Sequence, residues 1–154
     1  MGRLQDLRNH MDYELSLIQH SKTRMDATAH LYGVSLAAVI LAKKRGLDPE
    51  LAAMSAMMHD IAAYRNGTYE DHARRSADIA REILETLHLA SPEETSLVCS
   101  AIAAHDDKAA HDGPMEELLK DADVLHHTLH DPSRPVKEKE RTRYDALCRE
   151  LGFK

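Results

Sequence analysis

Tryptophan is absent from this chain, phenylalanine occurs once and tyrosine five times. A core built on aromatic side chains is therefore excluded. Ala, Leu and Met have to fill most of the interior, which suits closely packed helices better than a sheet. Six glycines and five prolines are too few for long disordered linkers. The two cysteines, Cys99 and Cys148, lie far apart without CxxC spacing. One disulfide stays open, and buried or idle thiols are the simpler reading. No long basic tract occurs and the net charge is −6, so general nucleic-acid binding is not expected. No apolar run approaches the ~20 residues of a membrane span. The N-terminal stretch MGRLQDLRNHMDYEL is charged throughout and does not read as a signal peptide. The expectation is a cytoplasmic protein without a membrane segment.

What is present fits a compact, single-domain, all-α bundle of about six or seven helices. The 154 residues, 43% apolar and 30% charged, are enough to bury one core. Amphipathic spacing predicts helices over about 3–19 and 25–45, the latter stopped by Gly46. Asp48-Pro49-Glu50 starts a third helix, predicted to run on through LAAMSAMMHDIAAY. A fourth covers DHARRSADIAREILETL. Ser91-Pro92-Glu93-Glu94 has the capping-box pattern and opens a fifth. Pro114 opens a sixth, to about 129. A charged last helix, about 136–151, packs on the core or contacts another copy, and a homo-oligomer stays open.

The excess is in histidine: eleven residues, with His-Asp occurring four times, at 59–60, 105–106, 111–112 and 130–131. Two adjacent letters so frequent mean little alone. His111-Asp112 and His130-Asp131 stand beside Gly or Pro and read as exposed loop or helix-end residues. His59-Asp60 sits inside AAMSAMMHDIAAY; His59 shares a face with Ala52, Ser55 and Ala56, and Asp60 adjoins that face, next to Ala53, Ala56 and Met57. A carboxylate there is costly unless it is paired or metal-bound. His30 falls in the stripe of Ala27, Leu31, Val34, Ala38 and Leu41. His72 aligns with Ser76, Ile79 and Ile83, and His105 with Val98, Ala101 and Ile102. Asp123 adjoins the Leu118–Ala122–Leu125 stripe. Each alone is more often a satisfied buried polar group. Together, five helices each send a potential ligand to one core. Imidazole and carboxylate suit Mn, Fe, Co, Ni or Zn, with Mg also open. The lack of cysteine in the set argues against structural zinc.

These residues resemble the HD superfamily of metal-dependent phosphohydrolases, whose signature is H…HD…D on separate helices. The resemblance rests on AHLYGV at His30, MMHDIA at His59-Asp60 and KDADVL at Asp123, and covers roughly residues 25–128. Asp121 competes for the last position, but ADVL is similar to the family's ADxL. Ala62, where Gly is frequent, and Gly33, where a basic or polar residue is frequent, depart from the pattern. The resemblance implies that His30, His59, Asp60 and Asp123 hold a first ion. Some members complete a binuclear site with two further histidines, which His72 and His105 match. The alternative is a single ion, with these two histidines binding substrate phosphate.

The implied activity is hydrolysis of a phosphoester of a nucleotide or related small molecule by metal-activated water. Asp60 or Asp106 would take the proton. Arg65, Arg75 and Lys108 are the candidate phosphate-binding cations, whereas Arg74 and Lys43-Lys44-Arg45 read as surface. Tyr32, Tyr64 and Tyr69 are near enough in sequence to stack on a base, although core or loop roles suit them better. Two other readings stand beside this one: a di-iron oxygenase of the same fold, and a non-catalytic metal- or nucleotide-binding module.

Overall fold

The computed structural model describes residues 2–154, which form eight helices: α1 Arg3–Ser16, α2 Ser21–Arg45, α3 Pro49–Met58, α4 Ile61–Asn66, α5 His72–Thr86, α6 Pro92–Ala104, α7 Pro114–Leu129 and α8 Glu138–Leu151. The all-helical expectation holds. The number rises because the expected third helix is two, broken at His59-Asp60.

Local chemistry sets most boundaries. The Asp48 carboxylate accepts from the backbone N–H groups of Glu50 and Leu51 at 2.9 and 3.0 Å, ahead of Pro49. Ser91 Oγ accepts from Glu94 N–H, and the Glu94 carboxylate accepts from Ser91 N–H, closing the capping box. Gly46 ends α2 with φ +70, a conformation a Cβ disfavours. Helix α2 begins earlier than the apolar pattern suggests, because His20 Nδ1 accepts from Thr23 N–H and caps it.

Helix α3 is the centre of the bundle, with every residue from Leu51 to Met58 buried. It packs against α2 and α6, and α2 packs in turn against α7. A helix apolar on all sides belongs in the interior. The small Ala52, Ala53 and Ala56 allow neighbours to approach, while Met54, Met57 and Met58 fill the gaps between them. One continuous apolar cluster runs from Leu7 in α1 to Leu147 in α8. Cys99 and Cys148 are both free thiols.

One expectation needs correction. Helix α2 has an 18-residue window of mean hydropathy 1.4, so by length and composition it could cross a membrane. In this fold it buries Leu31, Val34, Ala38 and Leu41 against its neighbours and carries His30 inward.

Two cations fix the loop after α6, which bears site residues. Lys120, fully buried, donates to Ala110 O and to the Asp112 carboxylate at 2.9 and 2.6 Å. Arg143 from α8 donates to Lys108 O and Ala110 O at 2.8 and 2.9 Å. Asp121 points away from the histidines and pairs with Arg45 and Arg143 at 2.7 and 3.2 Å.

Candidate metal centre

Three histidines repeat one local device. The Nδ1–H of His59 donates to Ala56 O at 2.7 Å, that of His72 to Tyr69 O at 2.8 Å and that of His105 to Ile102 O at 2.7 Å. In each case the ring reaches the carbonyl three residues back. His59 and His105 stand at the C-terminal ends of α3 and α6, where helix carbonyls lack intrahelical partners. The side chain satisfies such a carbonyl and ends the helix, which is why α3 stops at Met58. Asp60 follows at φ −112, ψ 10 and precedes α4. His72 opens α5 directly after Asp71, whose φ of 49 is left-handed, a conformation Asp tolerates.

With Nδ1 protonated, a neutral imidazole presents a lone pair at Nε2. Those lone pairs converge. His30 Nε2 lies 3.1 Å from His59 Nε2, and His72 Nε2 lies 3.2 Å from His105 Nε2. Carboxylate oxygens join both pairs. His30 Nε2 is 3.2 Å from Asp60 Oδ2 and 3.3 Å from Asp123 Oδ1. His59 Nε2 is 3.3 and 3.6 Å from the same two oxygens. The other oxygen of Asp60, Oδ1, lies 3.2 Å from His72 Nε2 and 3.3 Å from His105 Nε2.

Acceptors facing acceptors repel unless positive charge lies among them. Asp60 Oδ1 and Asp123 Oδ1 are both buried without a hydrogen-bond partner. Ligands about 2.1 Å from a transition metal stand roughly 3.0 Å apart at right angles and about 3.4 Å apart in a tetrahedron. Four of the five observed edges, at 3.1–3.3 Å, fall in that range, and the fifth, at 3.6 Å, lies just beyond it. The donor set therefore fits one divalent ion between His30, His59, Asp60 and Asp123. A second fits against Asp60, His72 and His105.

Without a metal, protons are the available counter-charge. Burial opposes charging His59, yet the Asp60 and Asp123 carboxylates prevail and push it up to about 10. Burial also favours neutral Asp60 and Asp123, but the surrounding imidazoles hold both well below the usual carboxylate range. His105 moves the other way, pushed down by burial above all.

A layer of partners sits behind these atoms. His30 Nδ1 meets His126 Nδ1 at 2.8 Å. Burial and then the neighbouring His30, His130 and His127 push His126 down to about 4, so His126 is neutral near pH 7 and can accept from His30. Gly33 makes room for it: a Cβ there would lie 2.1 Å from His126 Cδ2. Lys108, itself buried, donates to Asp123 Oδ2 at 2.7 Å and to His105 O at 2.6 Å.

Beside the centre opens a cavity of about 590 Å³, lined among others by Asp60, Asp106, Tyr64, Tyr69, Lys137 and Lys139. Asp106 is exposed at its edge. Of the cations expected to face substrate, Lys108 stands against Asp123, and the other two are elsewhere. Arg65 pairs with Glu14 on another face. Arg75 donates to the backbone carbonyls of Thr68 and Glu70. Tyr64 and Tyr69 reach the cavity, while Tyr32 donates to Asp12 at 2.7 Å. Sequence reasoning missed Lys137 and Lys139, which only the fold of α8 brings here. It also missed His126 and His127. His127 lies four residues after Asp123, on the same face of α7, and that spacing was a usable signal.

Comparison with known proteins gives this arrangement a context. The chain is 30% identical over 116 residues to ribonuclease Y of Chlorobium luteolum, covering 75% of this chain and 18% of that protein. It is 28% identical over 116 residues to ribonuclease Y of Chlorobium phaeovibrioides, covering 75% and 18%. With ribonuclease Y of Chlorobium phaeobacteroides the figures are 25% over 125 residues, 81% and 20%. The chain thus spans about a fifth of the length of the curated relatives it matches. No solved structure matches it. The family profile described as HD domain matches residues 28–128, from just before His30 to just after His127, and the chain belongs to that family.

Proposed function

We propose that the protein is a metal-dependent phosphohydrolase acting on a phosphoester of a nucleotide or a related small molecule. In this reading residues 1–154 form one HD-type domain that works in the cytoplasm. The observation that carries it is Asp60, whose two oxygens face two separate imidazole pairs. A carboxylate so placed could serve two cations at once, and two cations together would supply charge to stabilise phosphoryl oxygens. His30, His59, Asp60 and Asp123 would hold the first ion; Asp60, His72 and His105 would hold the second. Mn, Fe, Co, Ni or Zn suits these donors best.

A divalent ion held there supplies Lewis acidity and lowers the pKa of water towards about 7. The remaining work falls to the chain. Lys108 occupies Asp123 Oδ2 and leaves Oδ1 for the ion. Lys137 and Lys139 are exposed at the cavity and, among the described residues, are not engaged in ion pairs. They receive the substrate phosphate and stabilise charge that builds on it. Asp106, on the same rim, accepts the proton of the attacking water. Tyr69, 60% exposed and edge-on to His72, offers a face for a nucleobase.

The test is a panel of nucleotides, dinucleotides, sugar phosphates and, in view of the ribonuclease Y similarity, short oligoribonucleotides, run with metal-loaded protein. Release of phosphate or nucleoside that persists without oxygen and disappears in Asp60→Ala is the expected result. A folded, fully metallated protein inert across the panel refutes the reading, and oxygen-dependent substrate loss transfers it to oxygenase chemistry.

A further inference from the structure

We infer that His127 is an additional ligand of the first ion, donating through Nε2, with its tautomer set by Glu140 from α8. The inference rests on the metal-site reading above and extends it by one residue on α7 and one on α8.

His127 Nδ1 lies 2.7 Å from Glu140 Oε1. A carboxylate only accepts, so Nδ1 carries the hydrogen and Nε2 is the nitrogen left to face an ion. That nitrogen lies 3.4 Å from Asp123 Oδ1, an oxygen with no hydrogen-bond partner. This is the same unfavourable meeting of acceptors seen among the other Nε2 atoms, at the same spacing. One ligand atom from each of His30, Asp123 and His127 lies within 4.8 Å of the others. His30 has one lone pair to give, so the ion these three atoms share is the first ion and not a third.

The His30 and His127 rings are stacked, with centroids 5.2 Å apart and planes 8° from parallel. Glu140 itself is 1% exposed. A carboxylate that deep in a helix otherwise rich in solvated charge requires a partner, and a carboxylate behind a metal-bound histidine is a recurrent arrangement. Helix α8 thereby becomes part of the site.

The experiment is cobalt(II) titration of the full chain, followed by visible absorption and bound-metal stoichiometry, with thermal melting as the folding control. The variants are His127→Ala, His127→Gln and Glu140→Gln. The expected result is at least a tenfold weaker first-ion affinity in His127→Ala, with an altered d–d spectrum that added imidazole restores. Glu140→Gln, which still offers an acceptor oxygen, shows a smaller loss. Unchanged affinity and spectrum in a folded His127→Ala or His127→Gln protein overturn the inference. Wild-type protein that binds cobalt but hydrolyses nothing removes the phosphohydrolase reading and leaves this one standing. Wild-type protein that binds no cobalt removes both.

Discussion

Gly33→Ala separates metal affinity from stability in a way that depends on the arrangement around His30. The added Cβ would stand 2.1 Å from His126 Cδ2 and 2.6 Å from His126 Nε2. Carbon atoms in contact prefer about 3.5–4.0 Å, so the ring has to retreat by more than about 1 Å. The His30–His126 contact is 2.8 Å, and that retreat takes it past the ~3.5 Å limit of a hydrogen bond. His30 then loses the partner that orients its ring and directs its Nε2 lone pair inward. Loss of such a partner costs roughly 10- to 100-fold in metal affinity, or about 1.4–2.7 kcal/mol. Stability of the metal-free protein changes less. Ala gains up to about 1 kcal/mol of helix propensity over Gly, against roughly 1–3 kcal/mol for overpacking.

Isothermal titration with Mn(II) and thermal melting in chelator measure the two quantities. The same substitution in a His126→Ala background identifies the cause. With the ring gone, Gly33→Ala is expected to leave affinity where His126→Ala put it and to raise stability by about 1 kcal/mol. Unchanged affinity in the single variant, or a full further loss in the double variant, refutes the reasoning.

Four other outcomes follow from the structure. Because the Asp60 and Asp123 carboxylates push His59 up to about 10, an ion has to displace a proton there. Metal affinity is therefore expected to rise between pH 6 and 8, by up to about tenfold per unit for each proton displaced, and a flat titration contradicts this. Asp60→Asn keeps the shape but removes the shared charge, and atomic absorption should find the second ion lost, with hydrolysis falling by orders of magnitude. Asp121→Ala leaves Arg45 and Arg143 short of a carboxylate; chemical denaturation should show a loss of about 2–3 kcal/mol with metal stoichiometry intact, whereas Asp123→Ala should lose bound metal and, with the buried Lys108 left without its carboxylate, stability as well. Glu117 is held down at about 2, since Arg143 overcomes the opposing effect of burial. Its folded value lies below its unfolded one, so its contribution is present above about pH 4.5 and is lost as pH falls towards 2; denaturation midpoints between pH 5 and 2.5 should fall less steeply in Glu117→Gln.

The sequence carried some of this and hid the rest for identifiable reasons. Polar residues in apolar stripes were legible because helical periodicity is local, and the fold gathers His30, His59, Asp60, His72, His105 and Asp123 at one place. The face assigned to His59 was less informative than it looked, since α3 is buried on every side. The break at His59-Asp60 was hidden because its cause is a side chain bonding back to Ala56 O, and no propensity scale weighs that. Arg65 and Arg75 failed as phosphate ligands because nearness along the chain does not fix direction. Arg65 lies on α4, past the ligand, and turns to Glu14. Lys137 and Glu140 were illegible for the opposite reason: they are distant in sequence and enter only when α8 docks. Gly33 joins the two kinds of information. As a letter it looked like a departure from a family pattern. In the fold it is the space that lets His126 stand behind His30. A basic or polar side chain at position 33 therefore cannot coexist with His126 in its present place, and the two positions are expected to vary together.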